Sequence, residues 1–219
     1  MVDVLSFTTA VSVAADKGID VYPYRWQDRE SALRFASDRD AVLAVGRSRA
    51  ASGDVTLSPE SIRHAGFIAR LVLPSPNGST IAVTLGAAHG PQVVAGCLRN
   101  TRAVAEWIGR HLPRHATIAV IAAGEIRSDA SLSPAVEDLW GAGALIELLA
   151  ADGRSISPES GAALAAWSAV APSVQTLLID CVSGRELSEL GFETDVSVAA
   201  ELDQSRSVPV LQGDCFVAE

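Results

Sequence analysis

Along the 219-residue chain, short apolar runs alternate with amphipathic or alanine-rich stretches. The runs VDVL (2–5), IDVYPY (19–24), AVLAV (41–45), RLVL (70–73), VVAGC (93–97), TIAVIAA (117–123) and TLLIDCV (176–182) predict strands of the buried type, with 117–123 the clearest of them. VPVLQGDCFV (208–217) predicts strand pairing at a sheet edge. Helices are expected over 8–17, ended by Gly18, over 28–39 with Asp28 as N-cap, and over 101–112. Two Ser-Pro starts predict further helices over 133–150 and 157–170, the first with Ser133 as N-cap and Pro134 at its first position. In that helix Val136, Leu139, Trp140, Gly143 and Ile146 share one face. Strands alternating with helices imply an α/β/α layered fold with a mostly parallel or mixed sheet, readable also as two similar α/β halves. The chain is expected to form one compact unit over 1–219, with any subdomain boundary near 113–117.

The stretch LVLPSPNGSTIAV (71–83) admits two readings. Asn77-Gly78 between β-branched runs suits a hairpin tip. A hydroxyl-rich loop with glycine after a strand also suits a helix start that binds an anion, with the helix running from about Ser79 to about His89. Parallel sheets carry ligands beyond the C-terminal ends of their strands, which directs attention to loops 6–9, 46–58, 74–80, 124–133 and 183–186.

Charge narrows the classes. With 17 basic and 26 acidic side chains the formal net charge is −9, which argues against nucleic acid or an anionic membrane as partner. Three cysteines without a C-x-x-C fit a reducing compartment, and the apolar N-terminus lacks the basic segment of a secretory signal. No apolar run approaches bilayer length, so the expectation is a soluble, cytoplasmic protein, and homodimerisation is a common state for an apolar α/β chain of this size.

Several chemistries are absent. The chain has no G-x-x-x-x-G-K-[ST], no G-x-G-x-x-G and no G-x-S-x-G. Cys97 lacks an arginine six positions on, as a cysteine phosphatase requires, and Asp3 lacks the acid two positions on that an aspartyl-phosphate enzyme requires. His64, His89, His111 and His115 are not spaced as metal ligands on one helix and read as ordinary surface or core residues. What remains is oxygen chemistry: Asp3, Glu125, Asp129, Glu137 and Asp138, with Arg47, Arg49 and Arg127. Carboxylates at loop ends suit Mg²⁺, a hard cation that keeps waters and bridges to phosphate, although any single one of them is also an ordinary surface charge.

These pieces resemble, in order, the motifs of the 2-phosphosulfolactate phosphatase family, Mg²⁺-dependent enzymes of coenzyme M biosynthesis. Asp3-Val4-Leu5-Ser6-Phe7-Thr8-Thr9 is similar to the family's D-V-L-R-A-[ST]-T, Ser58-Pro59 to its N-S-P, and Ser75-Pro76-Asn77-Gly78-Ser79 to its T-T-N-G-T. Asn100-Thr101-Arg102-Ala103-Val104-Ala105 resembles N-x-x-A-V-A, and Ala123-Gly124, Glu137-Asp138 and Gly143 resemble A-G…L-E-D…A-G. Gly184-Arg185-x-Leu187 and Asp195 resemble the C-terminal G-R-x-L and the aspartate after it. The resemblance implies phosphomonoester hydrolysis of a (R)-2-phospho-3-sulfolactate-like acid to the hydroxy acid. It implies Asp3, Glu137 and Asp138 as catalytic groups and Mg²⁺ ligands. It implies substrate contacts from Thr8, Thr9, Ser58, Asn77, Gly78, Ser79 and Asn100, with Arg47, Arg127 and Arg185 on the anionic groups. It also selects the strand–loop–helix reading of 71–83.

Four positions depart from the pattern: the strand-end arginine is Ser6, the G-E acid is Arg47, the N-S-P asparagine is Leu57 and a threonine of T-T-N-G-T is Pro76. Family chains also usually begin further upstream, so a shortened first strand is expected. A phosphatase with a different substrate, or a non-catalytic member that binds an anionic metabolite, are the alternative readings.

Overall fold

The computed structural model describes residues 1–47, 50–51, 53–87, 90–127 and 129–219. In chain order the elements are α1 (Phe7–Asp16), β1 (Asp20–Tyr24), α2 (Arg29–Ser37), β2 (Val42–Leu43), α3 (Pro59–His64), β3 (Arg70–Pro74) and α4 (Gly78–Leu85). They continue as α5 (Thr101–His111), β4 (Glu125–Ile126), β5 (Leu132–Ser133), α6 (Val136–Ala151) and α7 (Pro158–Val170). The last are α8 (Val174–Asp180), α9 (Val182–Glu189), α10 (Glu193–Ala199), β6 (Pro209–Gln212) and β7 (Cys215–Ala218).

Among the described residues the main sheet runs β2-β3-β1-β7-β6, with β1, β2 and β3 parallel, β7 antiparallel to β1 and β6 antiparallel to β7. Single bridges extend it on the far side: Val94 pairs antiparallel with Val210, and Val2 pairs parallel with both Gly96 and Ala122. Two groups of parallel segments thus flank a central antiparallel hairpin. Alternation along the strands distributes side chains to two helix layers. Leu71 and Leu73 join Phe7, Val11 and Ile62 of α1 and α3 on one face, whereas Val72 and Tyr24 meet Ala32 and Ala36 of α2 on the other. The result is the expected α/β layering, with a mixed sheet.

Local chemistry explains most helix starts. Asp28, Ser58 and Ser157 each accept the backbone N–H three residues on, satisfying a donor that the first helical turn leaves open. Several expectations are corrected. Ser133 does not cap α6: it pairs with Glu125 in the β4–β5 ribbon, and Ala135 stands at the N-cap. TLLIDCV is not a strand, because Val174 and Leu178 lie one turn apart and bury together, making 174–180 a helix. Of the expected edge pairing over 208–217, β7 lies inside the sheet while β6 ends its five-strand order, with the single Val94 bridge beyond it. The 117–123 run, expected as the clearest strand, is not one: among the described residues it forms a single bridge, at Ala122.

Helix α6 buries far more than the expected face. Val136 and Leu139 are exposed, whereas Glu137, Asp138 and the run from Trp140 to Ile146 are buried. Against it, α7 approaches closely enough that a Cβ on Gly143 would stand 2.2 Å from the Ala163 carbonyl. Contrary to the bilayer-length expectation, the helical run Pro158–Asp180 is long and apolar enough to cross a membrane by length and composition, with a mean hydropathy of 1.5.

Candidate active site

The C-terminal ends of the parallel segments converge on a small group of acids. Asp3 closes the first segment, just ahead of α1, and its Oδ1 accepts the Phe7 N–H at 3.0 Å. The same carboxyl faces the N–H of Gly78 at the start of α4, so two helix N-termini point at one acid. Asp138 lies in the first turn of α6. Its Oδ1 accepts the Val4 N–H at 2.7 Å and its Oδ2 the Gly124 N–H at 2.9 Å, tying two strand ends together. Glu137 lies beside both acids and beside the Cys181 thiol. Glu125 approaches from the 120–125 segment, its Oε2 accepting from Asn77 Nδ2 at 2.8 Å, while Asn77 Oδ1 accepts the Ile126 N–H at 3.1 Å.

Asp3, Glu137 and Asp138 are all buried. Removal from water disfavours the ionised forms of Asp3 and Asp138. For Asp3 this desolvation, reinforced by Glu125 and Glu137, pushes the carboxyl up to about 7. Asp138 is pushed up to about 8 by burial first and by Asp3 next, even though its two N–H donors favour the anion. Burial also raises Glu125, against the lowering effect of Asn77. The folded protein therefore keeps protons that the unfolded chain releases above about pH 4. Stability of the metal-free protein is expected to fall as pH rises from about 4 to about 8, because the native state binds more protons across that window. Urea midpoints at intervals of pH check this, and a flat profile contradicts it.

A second group sits at the mouth. Asp195, fully buried, accepts from Arg47 Nε at 3.2 Å and Nη2 at 3.0 Å, from Ser58 Oγ at 2.5 Å and from the Glu60 N–H at 3.2 Å. Arg47 also donates through Nη2 to Ser6 Oγ at 2.8 Å. Arg47 borders two cavities. One, of 680 Å³, holds Glu125, Arg127, Glu137 and Glu186 among its walls; the other, of 710 Å³, is chiefly apolar.

The remaining sequence candidates separate into groups. Arg127 lines the acidic cavity and donates to Ser133 Oγ. Asn77 and Gly78 stand at the site, and Ser58 acts through Asp195. Several hydroxyls and amides are instead engaged inside the fold. Thr8 Oγ1 donates to the Asp3 carbonyl, Thr9 Oγ1 to the Val4 carbonyl and Ser79 Oγ to the Leu73 carbonyl. Asn100 braces the turn before α5, accepting from Cys97 N and donating to the Ala95 and Ser207 carbonyls. Their hydroxyls and amides therefore hold the strand-end loops in shape. Arg185 is exposed on α9 and donates to the Asp180 carbonyl, away from both cavities. Asp129 accepts its own turn's Ser131 N–H. Arg49 and His89 lie outside the described residues. Among the other histidines, His64 pairs with Glu60, and His111 stacks on Trp107 at 4.4 Å.

The strand–loop–helix reading of 71–83 holds, with α4 starting at Gly78 rather than Ser79 and ending at Leu85. Gly78 is required by packing: a Cβ there would meet the Phe7 ring at 2.4 Å. Gly78→Ala is expected to cost about 1–3 kcal/mol through that overlap, read as a lowered urea midpoint.

Sequence reasoning left two participants without a role. Glu125 was a candidate only as one loop acid among several, and Asp195 only as a motif match. The local signal for Glu125 is its place directly after Ala123-Gly124 at a strand end. Nothing local marks Asp195, whose partner Arg47 is 148 residues away.

Comparison with known proteins bears on this arrangement. A family profile described as 2-phosphosulpholactate phosphatase matches residues 1–214. The chain is 32% identical over 217 residues to a Thermus thermophilus protein named "Probable 2-phosphosulfolactate phosphatase", covering 97% of this chain and 87% of that one. It is 27% identical over 219 residues to a Thermosynechococcus vestitus protein of the same name, covering 95% and 86% of the two. With nearly every residue matched, the chain belongs to the 2-phosphosulpholactate phosphatase family.

Proposed function

We propose that this protein is a Mg²⁺-dependent phosphatase that hydrolyses the phosphomonoester of a small 2-hydroxy acid, with (R)-2-phospho-3-sulfolactate as the reference substrate. The observation that carries the reading is the meeting of buried Asp3, Glu137 and Asp138 with the α4 N-terminus, beyond the ends of parallel segments. The donor chemistry fits Mg²⁺. The acids present hard oxygens, and Asp3 and Asp138 hold protons more tightly than free carboxyls because they are buried beside other acids. Among the described residues no group of three His, Cys, Asp or Glu side chains is arranged to hold a metal ion, so water would supply the remaining ligands of an ion held by these acids. Asp3 and Glu137, with Glu125 beside them, would hold the ion. Asp138, with both oxygens taken by backbone N–H groups, orients the loops that carry them. When bound, Mg²⁺ supplies neutralisation of the phosphoryl oxygens.

The chain's own groups do the rest. The Ser79 N–H at the α4 N-terminus donates to a phosphoryl oxygen beside the Gly78 N–H that Asp3 holds, and Asn77 ahead of it is fixed by Glu125 and Ile126. A water in line with the ester oxygen loses its proton to a carboxylate of the cluster as it attacks phosphorus. The P–O ester bond breaks, and the leaving alkoxide takes a proton to give the 2-hydroxy acid and orthophosphate. Arg127 faces the substrate's carboxylate from the acidic cavity.

The test is phosphate release from 2-phospho-3-sulfolactate, 2-phospholactate and an aryl phosphate, with Mg²⁺ and with chelator. Turnover of at least one ester that falls to background with chelator is expected. No turnover of any ester removes the phosphatase reading in favour of a binding module, and turnover indifferent to chelator removes the metal.

A further inference from the structure

The 710 Å³ cavity beside the acids has a lining that a sulfonated three-carbon acid does not use. Trp26, Leu43, Leu57, Pro76, Leu190 and Phe192 form its walls, and it joins the acidic cavity through Arg47, Leu187 and Leu190. Its volume is that of a ligand pocket, within roughly 300–1,000 Å³. Trp26 and Leu190 are 46% and 70% exposed, an apolar rim left open to water at the entrance to a hydrolytic site.

The cation in this cavity is already committed. Arg47 gives Nε and Nη2 to the fully buried Asp195, and its guanidinium lies 5.3 Å from the Phe192 ring centre. That ion pair is electrically closed, so a sulfonate placed here would face the exposed Arg29 at the rim and otherwise hydrocarbon. The four departures from the family motifs meet at this point although they are scattered in sequence. Arg47, Leu57 and Pro76 line the cavity, and Ser6, where the motif has arginine, accepts the Arg47 N–H at 2.8 Å. Together they move the strand-end cation from position 6 to Arg47, where the motif has an acid, and they replace two polar side chains with leucine and proline.

We propose that this cavity receives an apolar side chain of the substrate, so that the preferred phosphoester is that of a 2-hydroxy acid bearing an aryl or branched alkyl group rather than a sulfonate. The assignment rests on the phosphatase reading above and specifies its substrate class. The phosphate and carboxylate occupy the acidic cavity and the α4 N-terminus, and the side chain passes Arg47 to lie between Trp26 and Phe192.

The experiment uses the full chain with Mg²⁺ and compares kcat/KM for the O-phosphates of 3-phenyllactate, lactate and 3-sulfolactate. The phenyl ester is expected to lead the sulfonated one by at least about tenfold, the scale at which a hydrophobic pocket discriminates. In the Leu57→Asn/Pro76→Thr double variant that ratio is expected to fall towards unity. A separate measurement needs no turnover: 3-phenyllactate is expected to change tryptophan fluorescence in the wild type and not in Trp26→Phe. Equal or better turnover of the sulfonated ester overturns the pocket assignment and leaves the phosphatase reading intact. Binding of 3-phenyllactate without hydrolysis of any ester keeps the pocket and removes the phosphatase. Neither binding nor hydrolysis removes both.

Discussion

Asp138→Ala is expected to unfold at a markedly lower urea concentration than the wild type, by the equivalent of about 2–4 kcal/mol, and to lose phosphatase activity with it. Both carboxylate oxygens accept a buried backbone N–H, from Val4 and from Gly124. Truncation leaves both donors unpaired, at about 1–3 kcal/mol each, partly offset because a buried acid is removed. The loss extends beyond stability because those N–H groups belong to the strand ends that carry Asp3 and Glu125. Asp138→Asn keeps one acceptor but sets an amide NH₂ against the other N–H, whichever way the amide is turned, so an intermediate cost of about 1–3 kcal/mol follows. Equal midpoints for Asp138→Ala and wild type, at unchanged denaturant slope, would show that the two N–H groups find other partners.

Asp3→Asn separates activity from stability in the opposite way. The amide oxygen still accepts the Phe7 N–H, so the start of α1 survives, and the weakened contact to the Gly78 N–H is set against the removal of a buried acid. What disappears is a buried carboxyl held near Glu125 and Glu137. The metal-free variant is expected to be at least as stable as the wild type at pH 8, and its stability to decline less between pH 4 and pH 8. Its kcat is expected to drop by about 10²-fold or more, the usual scale for losing a group that handles protons or a metal ion in the transition state. Calorimetry with phosphate-release kinetics reads both. A variant that is less stable and fully active would mean that Asp3 is a structural cap and nothing more. The expected combination is that of a functional site that costs the fold some stability.

Much of the layering was legible because it is written locally. Asp28, Ser58 and Ser157 announce helices through a side-chain oxygen and an N–H three residues on, and Gly18 with φ of +69° ends α1 where a left-handed residue is needed. The misreadings have one cause, which is that an apolar run states burial but not period. TLLID packs Val174 and Leu178 as helical neighbours, and Ser133 was drawn into a two-strand ribbon by Glu125, eight positions upstream. The site was legible only as a set of strand ends. What joins those ends is long-range: Asp138 reaches Val4 across 134 residues, and no spacing rule carries that information. The structure also buries Glu137 and Asp138, outside the face that helical periodicity named, with both Asp138 oxygens met by backbone N–H groups.

The central hairpin has a consequence for how the protein comes into being. Val21 on β1 pairs with Phe216, and Val94 with Val210, so the seam between the two parallel groups is filled by residues that leave the ribosome after both groups are complete. Until then each group presents an unpaired flank along its inner strand, with amide and carbonyl rows open to other nascent chains. The sheet cannot be finished before residues 209–218 have been made. Its closure then needs contacts spanning about two hundred positions, the kind that form slowly. The newborn chain thus spends its most vulnerable interval in two separate sheet fragments, at the stage where shielding by a chaperone counts most.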